Sequence, residues 1–143
     1  MRAAFALILI VVLAGCGGGD DARDEFVKQA DANCRQRQQA ELALQDRSEE
    51  EWAEDPDAAW RVYDREHEKQ SKLEAPEELA DDWRRYLELL RSAIETQREL
   101  ADPDHEYDLD RDSVAGGEAN KSAVQARQVA KRMGLKVCAN AFY

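Results

Sequence analysis

The sequence has little of what β-sheets, metal centres and catalytic sites require. It contains three cysteines, two histidines and three prolines, and aromatic residues make up 7% of it. No stretch alternates apolar and polar side chains as a half-buried strand does. No Ser/His/Asp order, G-x-S-x-G motif, phosphate-cradling glycine loop or haem attachment motif is present. We therefore expect an all-α chain with no catalytic activity and no cofactor.

Basic residues are also in the minority. The chain has 31 acidic and 20 basic side chains, and its net charge is −11. Because contacts to phosphates need clustered lysine and arginine, this balance argues against a nucleic-acid partner. The residues that dominate instead are alanine, leucine, glutamate, glutamine and arginine, which are good helix formers.

A long apolar run occurs only at the start of the chain. Arg2 is followed by the uninterrupted apolar residues 3–12 and then by small residues, which is the organisation of a secretory signal peptide. The run is shorter than the roughly 20 residues that a membrane-spanning helix needs. It therefore predicts export rather than a transmembrane anchor.

The segment Leu13-Ala14-Gly15-Cys16 resembles the lipobox of bacterial prolipoproteins. In that family the cysteine thiol is alkylated by diacylglycerol and the peptide bond before it is cut. The resemblance implies a lipid anchor on Cys16 and an extracytoplasmic location at a bacterial cell membrane. The alternative is an ordinary signal peptide with an incidental cysteine. We expect a signal peptide at residues 1–15, the lipidated cysteine and a flexible tether at 16–24, and a helical domain at 25–143.

The other two cysteines, Cys34 and Cys138, are predicted to form a disulfide. An odd cysteine count in an exported chain needs an explanation, and lipidation of Cys16 leaves an even number in a compartment that permits disulfides. The alternatives are two free thiols or a metal pair. No CxxC or HxxxH spacing supports a metal pair.

Apolar spacing predicts three long helices. They run from about Asp24 to Leu44, from Pro76 to about Ala101, and from about Gly117 to Met133. The inward residues of the first are predicted to be Phe26, Val27, Ala30, Cys34 and Leu44. Those of the second are Leu79, Trp83, Leu87 or Tyr86, Leu90, Ile94 and Gln97. Those of the third are Ala119, Ala123, Ala126, Ala130 and Met133.

A further helix is predicted between the first two of these. Ser48-Glu49-Glu50-Glu51 matches a capping box, but Pro56 follows too soon for one straight helix. Either the Ser48 start is a short turn, or the helix restarts with Asp55 as its cap and Pro56 at its first position. The helix then continues to about Lys72 through Trp60, Tyr63 and His67.

The residues after Met133 predict how the bundle closes. Gly134 fits the left-handed position that ends a helix, and Leu135 is expected to fold back on Ala130 as in a Schellman motif. This turn places Cys138 just beyond the helix, within reach of Cys34. The predicted fold is a small antiparallel bundle of about four helices, closed by a disulfide between its two ends.

The helical part also resembles a second group of proteins. The stretches FVKQADANC (residues 26–34), LEAPEEL (73–79) and GLKVC (134–138) are similar to a pattern in small, largely uncharacterised exported lipoproteins of actinobacteria. Those proteins are helical and have one cysteine near each end. The resemblance implies a compact helical domain, no agreed activity and no catalytic residue.

The acidic segment before the last helix is the strongest candidate for a cation site. Asp108-Leu109-Asp110-Arg111-Asp112 imitates the start of an EF-hand loop, but Ser113 stands where the turn needs glycine and Ala119 where the bidentate glutamate belongs. We therefore interpret the segment as a solvated, self-repelling loop. His105 has no nucleophile or pocket partner to serve, and His67 is expected to be a partly buried helix residue.

Aromatic side chains at helical spacing have two interpretations. They can line a ligand groove, extended by Phe142-Tyr143, although such residues more often form a core. The residues concerned are Trp52, Trp60, Tyr63, Trp83 and Tyr86.

These observations favour one functional class and leave a second open. The first is a membrane-anchored cell-envelope lipoprotein with a helical interaction or scaffolding domain, whose acidic surface suits an envelope protein with a basic surface. The alternative is an extracytoplasmic lipoprotein that binds a small ligand or a divalent cation. A copurified envelope protein favours the first class, and a bound ligand in a purified sample favours the second.

Overall fold

The structure, a computed structural model, describes residues 18–140, with side chains from Asp20 onwards. The predictions for the signal peptide, for Cys16 and for Phe142-Tyr143 lie outside the described residues. Within residues 18–140 the chain is all-helical: it forms five α-helices and two short 3₁₀ turns, and no strand. The helices are α1 (Gly18–Gln45), α2 (Glu49–Glu54), α3 (Ala58–Ser71), α4 (Ala80–Ala101) and α5 (Leu109–Met133). The 3₁₀ turns are Glu77–Leu79 and Cys138–Asn140.

Helix α1 begins earlier than predicted. It starts at Gly18 rather than near Asp24, so most of the segment interpreted as a flexible tether is helical. Asp20 and Asp21 lie in its first turn, where their carboxylates interact favourably with the positive end of the helix dipole. The glycine run favours a flexible coil, but these two carboxylates and the good helix formers that follow favour a helix and extend α1 to Gly18.

The capping box at Ser48 is confirmed. The Ser48 hydroxyl accepts a hydrogen bond from the Glu51 N–H, and the Glu51 carboxylate accepts one from the Ser48 N–H at 2.7 Å. The α2 helix it starts is short and ends at Glu54, and Asp55 is its C-cap rather than the cap of the next helix. Pro56 lies in the turn between the two helices, Asp57 is the N-cap of α3, and α3 begins at Ala58.

The core lies between α4 and α5, which form an antiparallel hairpin, and α1 packs against it. The predicted alanines of α5 are all buried, and such small side chains let two helices approach closely. Of the two alternatives Leu87 and Tyr86, Tyr86 is the buried one. The prediction for Gln97 is wrong: it is exposed, because it lies at the edge of the apolar stripe. The core residues of α4 and the turn before it are Leu79, Trp83, Tyr86, Leu89, Leu90, Ala93 and Ile94.

Helix α5 begins at Leu109, eight positions before the predicted Gly117, so the interpretation of this acidic segment as a loop is wrong from Leu109 onwards. The Asp108 carboxylate caps the helix by accepting the Arg111 N–H, and the Asp112 carboxylate accepts the Asp108 N–H. Burial raises the pKa of Asp112, but its hydrogen bonds from Asp108, His105 and Arg111 outweigh that effect and lower it to about 2. These acids therefore stabilise a helix start rather than repel one another in a loop.

The end of α5 follows the prediction. Gly134 has a φ of 88°, and the Leu135 N–H donates to the Ala130 carbonyl at 2.9 Å, as in a Schellman motif. The disulfide between Cys34 and Cys138 is confirmed, with the two Cα atoms 5.3 Å apart. In the described part of the chain, no helix has the length and apolar content needed to cross a membrane.

Candidate functional site

A group of polar side chains is buried between α1 and α3, beside the disulfide. It consists of Arg37 from α1 together with Glu66 and Gln70 from α3, and it is called the buried polar cluster below. Arg37 is 3% exposed, Glu66 3% and Gln70 0%. Charged residues are almost never buried to this extent unless they are paired, so the contacts within the cluster decide what it does.

Arg37 is the central cation of the cluster. Its Nε atom lies 2.7 Å from Glu66 Oε2, although the N–H bond is not directed at that oxygen, so the contact is an ion pair rather than a well-aligned hydrogen bond. Its guanidinium also donates to Glu41 Oε1 at 2.6 Å. Tyr63 packs beneath the guanidinium, with the ring centroid 5.7 Å from Cζ. One arginine therefore holds two carboxyl groups, and the more deeply buried of them is Glu66.

Glu66 is poised to hold a proton near neutral pH. Burial raises its pKa and the nearby Arg37 lowers it, and the balance lies at about 7. Its second oxygen, Oε1, lies 3.1 Å from Cys34 Sγ. Because a disulfide sulfur carries no proton, this contact is a hydrogen bond only when Glu66 is protonated. The geometry thus agrees with the direction of the pKa shift.

Gln70 joins the cluster to the disulfide. Its amide nitrogen donates to the Ala30 carbonyl at 3.1 Å and to Cys34 Sγ at 3.2 Å, and its amide oxygen accepts from Asn33 at 3.3 Å. The hydroxyl of Tyr86 lies 3.8 Å from the same sulfur, and burial raises the pKa of Tyr86 well above its usual value. The disulfide therefore belongs to the apolar core, and its Cys34 sulfur also contacts three buried polar side chains.

The burial of Glu66 predicts an unusual dependence of stability on pH. The unfolded chain loses this proton near pH 4.5, whereas the folded protein keeps it up to a pH of about 7. The folded state binds more protons in this window, so the free energy of unfolding should fall as the pH rises through it. Relative to a Glu66→Gln variant, we expect a loss of about 3 kcal/mol across the window, measured by urea unfolding. Parallel stability curves for the two proteins would contradict this prediction.

The Asp31 carboxylate ties α1 to the chain after α5. It accepts the backbone N–H groups of Lys136 and Val137 at 2.9 Å each and of Cys138 at 3.1 Å. This contact lies one helical turn from the disulfide. Together they join α1, about 20–24 Å from its first residue, to the end of the bundle where α4 begins and α5 ends, which is called the proximal end below.

The opposite end of the bundle carries exposed apolar side chains. The α4–α5 hairpin runs away from the proximal end, since Arg132 bonds Asp82 near one end and Leu100 lies beside Gly116 near the other. Residues 102–108 connect the two helices, and together with residues 109–114 at the start of α5 they are called the distal tip below. Its exposed apolar members are Tyr107 (71%), Leu109 (67%) and Val114 (63%).

The aromatic side chains of the described residues do not line one continuous groove. Trp83 and Tyr86 stack in the core at a centroid distance of 5.2 Å, and Phe26 meets the Trp83 ring edge-on. Trp52 and Trp60 are half-buried elsewhere, each beneath an arginine guanidinium. The core interpretation is therefore right for Trp83 and Tyr86, and these two rings are unavailable to a ligand.

The two histidines have structural surroundings. His67 is partly buried on α3, as predicted, and His105 Nε2 lies 3.1 Å from Asp112 Oδ2 at the start of α5. Among residues 18–140 no three histidine, cysteine, aspartate or glutamate side chains come together as metal ligands.

The buried polar cluster was missed in the sequence because charged residues at helical spacing usually face solvent. A signal was present: Arg37 continues the inward series Ala30 and Cys34 along α1, and Glu66 precedes Gln70 by one helical turn on α3. A charged residue that continues an apolar stripe indicates a buried partner on the facing helix.

The fold and the site together define a disulfide-closed, all-α domain with a buried ion pair beside its disulfide. The chain has no significant match among protein-family models, curated proteins or solved structures. The function of the domain must therefore be inferred from this chain's own residues and contacts.

Proposed function

We propose that this protein is a lipoprotein anchored through Cys16 to the outer face of a bacterial cell membrane, where its helical domain acts as an interaction or scaffolding module. The lipobox-like segment at residues 13–16 supports the anchor. The disulfide between Cys34 and Cys138 is of the kind that persists in oxidising compartments outside the cytoplasm. No catalytic activity is proposed.

The observation that carries the proposal is the position of the distal tip. Helix α1 begins just after Cys16, so the lipid lies on the proximal side of the bundle. Helix α1 contains 28 residues and is therefore about 42 Å long. The distal tip lies at the other end of the bundle, so an anchored domain presents it away from the bilayer.

The chemistry of the distal tip indicates the kind of partner. Its apolar side chains Tyr107, Leu109 and Val114 lie among exposed carboxylates, and Arg111 is its only lysine or arginine. A partner that covers this surface gains by burying the apolar groups and by matching the negative charge with basic residues. The acidic domain is also repelled by anionic lipid headgroups, which keeps the distal tip available.

Crosslinking in cells tests the proposal. With a photoreactive residue in place of Tyr107, the anchored protein should capture one discrete partner, and the yield should fall as salt is added. The same residue placed at Val124, in the middle of α5 and 41% exposed, is the matched control and should capture much less. In a Cys16→Ser variant, which lacks the anchor, capture should drop by at least about tenfold because the effective concentration at the membrane is lost.

Two outcomes would contradict the proposal. One is equal capture from Tyr107 and Val124, which would mean that the distal tip has no special role. The other is unchanged processing and detergent partitioning of the Cys16→Ser variant, which would mean that Cys16 carries no lipid anchor.

A further inference from the structure

A groove on the surface of the α1–α3 pair lies directly over the buried polar cluster. Its volume is about 200 Å³, and its floor contains Arg37 and Glu66 with the small apolar residues Ala40 and Val62. The groove is smaller than the roughly 300–1,000 Å³ sites that hold drug-sized ligands. An occupant must therefore be a small molecule.

The rim of the groove is positive although the chain as a whole is strongly acidic. Arg65 and Lys69 lie on the α3 side, and Asn33 and Gln36 on the α1 side. Arg65 is exposed and has no ion pair or hydrogen bond with any residue of the described chain. Most other arginines described here are paired, as Arg61 is with Asp55. An unpaired guanidinium at the edge of a groove is available to a ligand.

The remaining polar groups of the rim add hydrogen-bond donors. The Lys69 ammonium donates to the side-chain oxygen Oε1 of Gln36 at 2.6 Å. The side-chain nitrogen of Gln36 and two ammonium N–H bonds of Lys69 are then left for another acceptor. Guanidinium, ammonium and amide donors that line one groove suit an oxyanion, and arginine matches the two oxygens of a carboxylate.

We propose that the α1–α3 groove binds a short-chain carboxylate, whose charged end meets Arg65 and Lys69 and whose apolar end lies on Ala40 and Val62. The apolar part of the floor distinguishes this ligand from inorganic phosphate, which would leave Ala40 and Val62 uncovered. The site lies on the side of the bundle and shares no residue with the distal tip. A failure of the binding test below would therefore leave the proposed interaction function unaffected, and the reverse also holds.

The test is a calorimetric titration of the full-length protein, in non-ionic detergent, with butyrate as the probe. We expect saturable binding at one site. Arg65→Gln and Lys69→Gln should each weaken it about tenfold, because each removes a charge-assisted hydrogen bond. Arg35→Gln is the matched control, since Arg35 is an exposed α1 cation that does not line the groove, and it should change the Kd by less than about twofold.

A dependence on pH gives a second measurement. Glu66 faces Arg37 and Glu41 of α1 and Tyr86 of α4, and its own pKa lies at about 7. Ionised Glu66 repels a carboxylate, so the affinity for butyrate should fall at least about threefold as the pH rises through this value. A Glu66→Gln variant should lose this dependence.

Three results would overturn the proposal. The first is the absence of saturable butyrate binding at millimolar concentrations. The second is an equal loss of affinity in the Arg65→Gln and Arg35→Gln variants, which would indicate general attraction to positive charge. The third is binding of inorganic phosphate as tight as that of butyrate, which would show that the apolar floor contributes nothing.

Discussion

Replacing Cys34 and Cys138 with alanine is expected to lower the free energy of unfolding by about 4–5 kcal/mol. The bond joins residues 104 positions apart, so it removes much of the chain entropy of the unfolded state. Its loss also leaves the buried amide of Gln70 without the sulfur acceptor that it uses in the native protein. Urea unfolding of the parent and the double variant measures the effect.

The single variants provide the control for this experiment. Cys34→Ala and Cys138→Ala each break the same bond, so each should cost nearly as much as the double variant. Both sulfurs are fully buried, so the folded parent should also resist a reductant until denaturant is added. A double variant that unfolds at the same urea concentration as the parent would contradict the structural role of the bridge.

Replacing Arg37 with methionine should have an effect that grows with pH. Below about pH 6, Glu66 holds its proton and needs no cation, so the variant should lose mainly the ion pair with Glu41 and be only mildly destabilised. At about pH 9 the Glu66 carboxyl of the variant must either ionise without a cation beside it or stay protonated well above its pKa in the unfolded chain. Both cost free energy. The expected cost is then about 3–5 kcal/mol, as for a buried pair that has lost one member. Urea unfolding of parent and variant at the two pH values measures this difference.

A double variant separates charge from packing. Adding Glu66→Met to Arg37→Met removes the unpaired acid and should restore most of the stability at about pH 9, because a hydrophobic pair of similar volume often replaces a buried ion pair without loss. If the double variant stays as unstable as the single one, the loss of stability comes from lost packing and not from the unpaired Glu66 carboxyl.

The sequence predicts this fold best where one local interaction decides the structure. The capping box at Ser48 and the left-handed turn at Gly134 each depend on a few neighbouring residues, and both are confirmed. The disulfide was predictable because, if Cys16 carries a lipid, Cys34 and Cys138 are the two cysteines that remain and allow one pairing. Such features need no knowledge of tertiary contacts.

The structure differs from the sequence-based predictions where two opposite physical effects act on the same residues. The acids around Asp108 repel one another in solvent but stabilise a helix when two of them cap its first turn, and the sequence alone does not show which effect is larger. Arg37 and Glu66 present the same difficulty, because Arg37 also has Glu41 at i, i+4, a spacing that fits an exposed helix face as well as a buried ion pair. Their burial follows from the packing of α1 on α3, which is a tertiary property.

The proximal end has a consequence for how the domain bears tension. A pulling force on the first residues of α1 travels along the helix for about 24 Å before it reaches Cys34. There it passes through a covalent bond to Cys138, and through the three hydrogen bonds of Asp31, into the chain after α5. The load therefore bypasses the α1–α3 contacts that follow Cys34, such as the ion pair of Arg37 with Glu66. The bridge holds α1 to the chain after α5 while the first turns of α1 are pulled.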